Sequence, residues 1–212
     1  MLQIDRPRQL LAISLSMLAG YVDAIGFLSA NGYFVSFMSG NTTRFAVDLL
    51  DNWRVAVVPG LLIAGFVCGV AAGTMVSLKS GTRRKAAVIA LVAAMLTISA
   101  VAREAALVPL SIAMMVLAMG AINNTFQRDG AVSIGLTYMT GALVRLGQSL
   151  GAALTGKTAP GWREYLLLWG GLLSGAISGA VLFSLLGTAA LWLAAAWGWL
   201  MVIAAWRIEA RS

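Results

Sequence analysis

The chain has 212 residues, of which 60% are hydrophobic and 11% are charged, and its formal net charge is +7. A soluble domain of this length could not bury so much apolar surface, so the composition predicts an integral membrane protein. The sequence has no histidine and one cysteine, Cys68, which excludes zinc chemistry, Ser-His-Asp catalysis and an internal disulfide.

Six apolar runs predict helices that cross the membrane, because each approaches the ~20 residues that span a bilayer. In chain order they are 9–29, 55–78, 86–103, 107–126, 163–185 and 188–206. Two further segments, 31–51 and 131–153, are semi-polar, and each carries a glycine and an arginine near its middle. Their length permits either a full crossing or a broken, re-entrant path that leaves on the side where it entered.

The two semi-polar segments repeat one another. "SFMSGNTTRF" at 36–45 aligns with "TYMTGALVRL", 101 residues later, which pairs Met38 with Met139, Gly40 with Gly141, and Arg44 with Arg145. After a five-residue insertion, a glycine series aligns as well, Gly65, Gly69 and Gly73 with Gly171, Gly175 and Gly179. The series predicts two copies of one unit, about 9–103 and 107–206, within a single membrane domain, 1–212. The glycine stripes themselves predict close helix packing, within the chain or between protomers.

The distribution of basic residues distinguishes a parallel repeat from an inverted one. Arg44 and Arg145, which lie within the semi-polar segments, are left out of this count. If the segments cross, eight of the other lysines and arginines lie inside and five outside; if they re-enter, eleven lie inside and only Arg54 and Arg103 outside. The positive-inside rule favours the second arrangement. We therefore predict an all-α membrane protein with six transmembrane helices, two broken or re-entrant segments and an inverted 3+3 internal repeat. We expect a multi-pass protein of the bacterial inner (cytoplasmic) membrane with both termini cytoplasmic, and no nucleic-acid partner.

The repeated phrase has the chemistry of a helix start. Polar cap and turn residues stand in both copies, namely Ser39, Gly40, Asn41 and Thr42 in the first and Thr140 and Gly141 in the second. A helix that starts in mid-membrane leaves N–H groups for side chains, water or a ligand, and an inverted repeat brings two such positive ends together. We predict that these residues bind substrate; the alternative is that they let helices pack closely.

Arg44 and Arg145 lie one turn into the two predicted half-length helices, and we include them in the substrate site. If they face the cavity, they favour an anionic substrate, because the guanidinium fork matches carboxylates and phosphates. The alternative is a structural partner, such as Asp23 or Asp48, or snorkelling to an interface.

Asp23, in "GYVDAIGF", is about 14 residues into the first helix, hence ~21 Å deep at ~1.5 Å per residue. A carboxylate at that depth is costly, so it is a candidate for coupling or gating. Its counterpart in the repeat is Asn124, which leaves the acid in one half only. The alternative is a counter-ion for Arg44 or Arg145.

The stretch "AGYVDAIGFLSANGYFVSFMSGNTTRFAVDL", with its second-half echo, resembles the signature of the YoaK-like family of bacterial membrane proteins. The resemblance covers essentially the whole chain. It implies a six-helix inner-membrane protein, a candidate transporter in a family of unknown function, with no established substrate. It implies no catalytic residues.

These observations predict a transporter of a small solute, with an anion as the candidate class, at a pseudo-symmetric polar site. Two alternatives stay open: a passive channel of the same architecture, and a non-transport scaffold that binds a partner through its glycine-rich helix faces. An enzyme is not predicted, because no nucleophile–base set or metal cluster is visible. We expect no cofactor and no metal ion. The expected partners are the bilayer and an unidentified small solute or ion, with a homodimer as an option that would enclose the site better.

Overall fold

The computed structural model describes residues 5–128, 131–132, 134–137, 139–157 and 161–211. Within these residues lie eight α-helices: α1 (Arg6–Ser29), α2 (Met38–Asp51), α3 (Trp53–Lys79), α4 (Arg84–Glu104), α5 (Val108–Ile122), α6 (Met139–Leu154), α7 (Trp162–Leu186) and α8 (Ala190–Glu209). Short 3₁₀ turns, Gly81–Arg83 and Gly187–Ala189, lead into α4 and α8, and a two-residue antiparallel pair, β1 (Gln127–Arg128) and β2 (Ala131–Val132), lies between α5 and α6. The described chain is therefore helical almost throughout, as predicted.

Four stretches of the described chain are long and apolar enough to cross a membrane: Arg6–Ser29, Trp53–Lys79, Gly81–Glu104 and Trp162–Glu209. The last of them contains both α7 and α8, which are joined at Gly187, whose φ of +58° is a backbone conformation that favours glycine. Large apolar side chains cover the outside of the bundle; Leu50 and Leu154, for example, are 92% and 80% exposed. Such a surface suits lipid rather than water.

The apolar run 107–126 was predicted to be helical over its whole length, but α5 ends at Ile122 after 15 residues. At ~1.5 Å per residue this helix covers ~22 Å of a ~30 Å hydrocarbon core. Asn123 and Asn124 end it, because their side-chain amides compete with the backbone for helical carbonyls: Asn123 Nδ2 donates to the Met119 oxygen at 3.0 Å. The run continues, still buried, as non-helical chain to Phe126.

Both semi-polar segments are broken. In 31–51, non-helical chain precedes α2, which has 14 residues. In 131–153, the strand β2 and further non-helical chain precede α6, which has 16 residues in all; residues 133 and 138 of this segment lie outside the described residues. The helices start at Met38 and Met139, which correspond in the repeat.

The glycine stripes hold the two halves together. On α7, Gly171, Gly175 and Gly179 lie against the backbone of Ile13, Met17 and Tyr21 on α1. On α3, Gly69 and Gly73 lie against Leu117 and Ala121 on α5. A Cβ at Gly175 would lie 2.7 Å from the Met17 carbonyl carbon, so only glycine permits this approach. The second apolar helix of each predicted unit thus packs on the first apolar helix of the other.

The sequence in which residues meet along each pair of helices shows whether the two helices run parallel or antiparallel. Gly171 meets Ile13 and Gly179 meets Tyr21, so α1 and α7 run parallel. Tyr21 Oη donates to the Ala190 oxygen at 2.9 Å and Trp197 Nε1 donates to Ser14 Oγ at 3.0 Å, so α1 and α8 run antiparallel.

The helices α4 and α8, which the predicted repeat pairs with one another, also run antiparallel. Trp192 Nε1, near the start of α8, donates to Glu104 Oε1 at the end of α4 at 2.6 Å. At the opposite end, Glu209 Oε1 accepts the Lys85 N–H at 2.9 Å. Because α5 turns back from α4 and α3 lies parallel to α5, the helices α1, α4 and α7 share one direction and α3, α5 and α8 share the other.

Candidate functional site

A cavity of about 430 Å³ lies where the starts of α2 and α6 meet. Matching residues of the two phrases line it, Ser36, Met38 and Ser39 from the first and Thr137, Met139 and Thr140 from the second. The remaining lining residues are Asp23, Phe34, Phe37, Phe66, Gly141 and Leu172. The structure thus brings together four residues that sequence singled out: Ser39, Thr140, Gly141 and Asp23. We call this space the central cavity.

Asp23 holds the chain that leads into α2. Its Oδ1 accepts the backbone N–H groups of Val35 at 3.0 Å and Ser36 at 2.7 Å. Residues 30–37 are not helical, so these N–H groups have no helical acceptor, and a membrane protein must satisfy them internally. A carboxylate does so with charge-assisted bonds, and the half-buried remainder of Asp23 lines the central cavity.

In the second half, the position of Asp23 is taken by Asn123 rather than by Asn124. Asn123 Oδ1 accepts the Thr137 N–H at 3.4 Å, and its Nδ2 donates to Thr137 Oγ1 at 3.1 Å. The separation between the two partners is 14 residues here and 13 between Asp23 and Ser36. One extra residue in the second connection therefore displaced the sequence alignment by one, and the pairing of Asp23 with Asn124 was wrong.

Asn124 lies between α5 and α3, outside the lining of the central cavity. Its Oδ1 accepts the Thr74 hydroxyl at 2.8 Å, and its Nδ2 donates to the Val70 oxygen at 3.0 Å. The Gln127 amide donates to the same Oδ1. These three side chains, Thr74, Asn124 and Gln127, form what we call the amide cluster, and they fill the space between the two helices.

The matching space in the first half is open. The residue after Asp23 is Ala24, and α7 presents Ala176 and Ala180 where α3 presents Val70 and Thr74. A groove of about 250 Å³ results, which we call the α1–α7 groove; Asp23 and Phe34 line both it and the central cavity. Asp23 thus lines a groove in the first half, whereas the amide cluster occupies the matching positions in the second half.

Three of the predicted substrate-binding residues, Gly40, Asn41 and Thr42, shape the chain around α2 instead of lining the cavity. Asn41 is fully buried, and its amide pairs with Phe34, accepting from its N–H at 3.0 Å and donating to its oxygen at 2.6 Å. Gly40 lies beneath aromatic rings, since a Cβ there would be 2.5 Å from the ring of Phe37. The side chain of Thr42 is exposed, and its hydroxyl donates a hydrogen bond to the Met38 oxygen within the same helix.

The two arginines also lie outside the cavity. The Arg44 guanidinium sits 5.1 Å from the centre of the Tyr33 ring, and that of Arg145 sits 5.5 Å from the centre of the Tyr165 ring. Each arginine is exposed and lies five residues beyond Ser39 or Thr140, which places it ~140° around the helix at ~100° per residue. Neither arginine therefore lines the central cavity, so neither supplies the anion preference that was expected of it there.

Sequence reasoning missed the hydrophobic part of the site. Phe34, Phe37 and Phe66 supply rings, and Met38 and Met139 supply thioethers. The run "GYFVSFM", which precedes the polar phrase, could have predicted these apolar lining residues. Among the described residues, no side chain caps the start of α2, and no group of three acidic, histidine or cysteine side chains is placed to hold a metal ion.

A sequence family described as "Protein of unknown function (DUF1275)" matches residues 11–205. The UPF0700 transmembrane protein RA0705 of Rhizobium meliloti (strain 1021) is 39% identical over 202 residues, covering 95% of this chain and 87% of that protein. The UPF0700 transmembrane protein YoaK of Bacillus subtilis (strain 168) is 32% identical over 155 residues, or 69% of each chain. No solved structure is significantly similar.

Proposed function

The chain belongs to the DUF1275 family, whose function is unknown, and we propose that it carries a small solute across the membrane through the central cavity. The predicted kinship with YoaK-like membrane proteins is confirmed. One observation carries the proposal: the starts of two half-length helices, from two copies of one phrase, line a single cavity beside Asp23. Broken helices that meet in this way characterise solute sites in transporters.

The proposed architecture is an inverted 3+3 repeat of six transmembrane helices with two re-entrant segments. Its support is the direction of the helices. Since α1 and α3 run oppositely, the chain that contains α2 returns to the end of the bundle from which it left. Since α5 and α7 also run oppositely, the chain that contains α6 does the same at the other end. The antiparallel α4 and α8 are the relation that an inverted repeat requires.

The same directions place the start of α1, the turn 81–83 and the end of α8 at one end of the bundle. Basic residues concentrate there, among them Arg83, Arg84 and Lys85. We infer from the positive-inside rule that this end is cytoplasmic, in the inner membrane of a bacterium.

Access to the cavity alternates in the proposed mechanism. The α1–α7 groove leads toward Asp23 on one side, while the amide cluster closes the matching space on the other. Opening that side requires Asn124 to release Thr74, so Asn124 acts as a gate rather than as a coupling site. Asp23 couples solute to the gate, because a group that binds its carboxylate competes with the N–H groups that hold the chain before α2. The role is not catalytic and uses no cofactor.

Cysteine labelling tests whether the cavity is accessible to water. In a Cys68→Ser background, single cysteines at Ser39 and Thr140 should react with small water-soluble thiol reagents in reconstituted vesicles. A cysteine at Ser99, which is fully buried and hydrogen-bonded to Ser111 away from the cavity, should stay inert. If Ser39→Cys and Thr140→Cys are as inert as the control, the scaffold alternative holds instead. A passive channel would label equally but pass solute independently of ion gradients.

A further inference from the structure

We propose that the solute is an organic cation, an ammonium head on a compact apolar body, with its head against Asp23. The proposal rests on the central cavity being the solute site, and it replaces the anion expected from the sequence. The charge, the rings and the polar groups of the lining each point to this class.

The charge of the lining has one sign. Among the described residues, Asp23 is the one ionisable side chain that lines the central cavity or the α1–α7 groove. Arg44 and Arg145 stack on tyrosine rings outside both spaces. The helix starts oppose the carboxylate with about half a charge each, and only within their first turn. The carboxylate of Asp23 also lies close to the start of α2, because it accepts the N–H groups of Val35 and Ser36 in the chain that precedes the helix.

Aromatic side chains share the lining of both spaces with the Asp23 carboxylate. The ring of Phe34 lines both spaces and packs against Phe27 and Phe37, with centroids 4.9 Å and 5.2 Å apart. Phe66 lines the central cavity from α3. The faces of such rings attract an ammonium group that comes within ~6 Å of their centres, and the ring contact with its apolar substituents adds to this. An anion would gain nothing from these faces.

The remaining lining explains why the body of the solute should be organic. Met38 and Met139 present polarisable thioethers, which adapt to irregular apolar shapes. Hydroxyl groups come from Ser36, Ser39 and their partners in the second phrase, and apart from these and Asp23 the lining residues have no polar side-chain group. A volume of about 430 Å³ is within the range of small-molecule sites.

Three probes of similar size and different charge test the proposal: 2-phenylethylammonium, 2-phenylethanol and phenylacetate. The first readout is protection of Ser39→Cys, in the Cys68→Ser background, from a neutral thiol reagent. The ammonium should slow labelling by about tenfold at a saturating concentration, and the alcohol and the carboxylate should do so much less. The second readout is thermal unfolding of the purified protein, which the ammonium should raise with increasing concentration by mass action.

Two variants locate the head group. Asp23→Asn should weaken the ammonium effect by about tenfold or more, as expected when a charge pair in a low-dielectric site is lost. Asp48→Asn is the matched control, because that carboxylate accepts the Tyr33 hydroxyl outside the cavity, and it should leave the effect unchanged. Should Asp23→Asn fail to fold, Phe34→Leu should still weaken the ammonium more than the alcohol.

The outcomes separate this proposal from the one it rests on. The cysteines could react but be protected best by phenylacetate, or by none of the probes. Either result would refute the organic cation as the solute and leave the cavity as a solute site. Equal protection by all three probes would also overturn it, because charge would not matter. Cysteines at Ser39 and Thr140 that never react would remove the proposed function itself.

Discussion

Replacing Asp23 separates its two suggested roles, which are to hold the chain before α2 and to couple solute to the gate. Asp23→Ala removes the acceptor of the Val35 and Ser36 N–H groups, whereas Asp23→Asn keeps one oxygen in the same place. The second half of the chain already uses an amide for this purpose, at Asn123. We therefore expect the alanine variant to lose stability and the asparagine variant to lose function.

The magnitudes follow from the hydrogen bonds. Each buried N–H group left without an acceptor costs ~1–3 kcal/mol, so Asp23→Ala should lower the free energy of unfolding by ~2–6 kcal/mol. The lower part of this range applies if water from the adjoining cavity replaces the carboxylate. Asp23→Asn exchanges charge-assisted bonds for neutral ones, which should cost ~1–2 kcal/mol.

Unfolding of the purified protein in one detergent, followed by its seven tryptophans, measures both changes. Asp48→Ala serves as the control, since its half-buried carboxylate accepts a bond from the Tyr33 hydroxyl rather than from backbone N–H groups, and it should cost under ~1 kcal/mol. Gradient-driven uptake should be abolished in Asp23→Asn although the variant folds. A stability of Asp23→Ala equal to that of wild type would refute the holding role, and full uptake by Asp23→Asn would refute the coupling role.

Three further predictions address packing, topology and gating. Gly175→Ala should lower the free energy of unfolding by ~1–3 kcal/mol through overpacking against α1, whereas Gly170→Ala, with open space around it on the same helix, should gain up to ~1 kcal/mol; equal unfolding temperatures would contradict the packing. Reporter fusions at Gly81 and Gly187 should give opposite sidedness, and the same signal at both would mean parallel halves. Asn124→Ala should speed labelling of a cysteine at the start of α6, and an unchanged rate would argue against the amide cluster as a gate.

The sequence predicted the broken segments and the convergence of their helix starts more closely than it predicted which residues line the cavity. Turn-forming residues and the repeat locate a helix start to within a few residues, and the helices begin at Met38 and Met139. Ser39 consequently lies inside the first turn rather than at the cap. Which face of each helix meets the cavity depends on the neighbours that pack on it, and no local pattern encodes that. The neighbouring helices therefore also determine that Arg44 points away from the cavity, and the sequence did not predict this orientation.

The alignment of the repeat failed at a single point for a comparable reason. The offset of 101 residues was taken from the two broken segments. The connection from Asn123 to Thr137 is one residue longer than the connection from Asp23 to Ser36, so the offset does not hold before the segments. Two consecutive asparagines, Asn123 and Asn124, left the error invisible in the sequence. The hydrogen-bond partners show which asparagine corresponds to Asp23, because Asn123 bonds Thr137 whereas Asn124 bonds Thr74.

Two of the differences between the halves occupy neighbouring positions beside the cavity, and together they give the halves different surroundings. Where the first half has Asp23 followed by Ala24, the second has Asn123 followed by Asn124. The first pair provides a charge and leaves a groove, and the second provides a neutral holder and closes the matching space. In two identical inverted halves, the states open to either side would have equal energy, and a symmetric site would favour neither. In the proposed transporter these four residues contribute to the difference in energy between the two states, and a ligand shifts the balance by its differential affinity at Asp23.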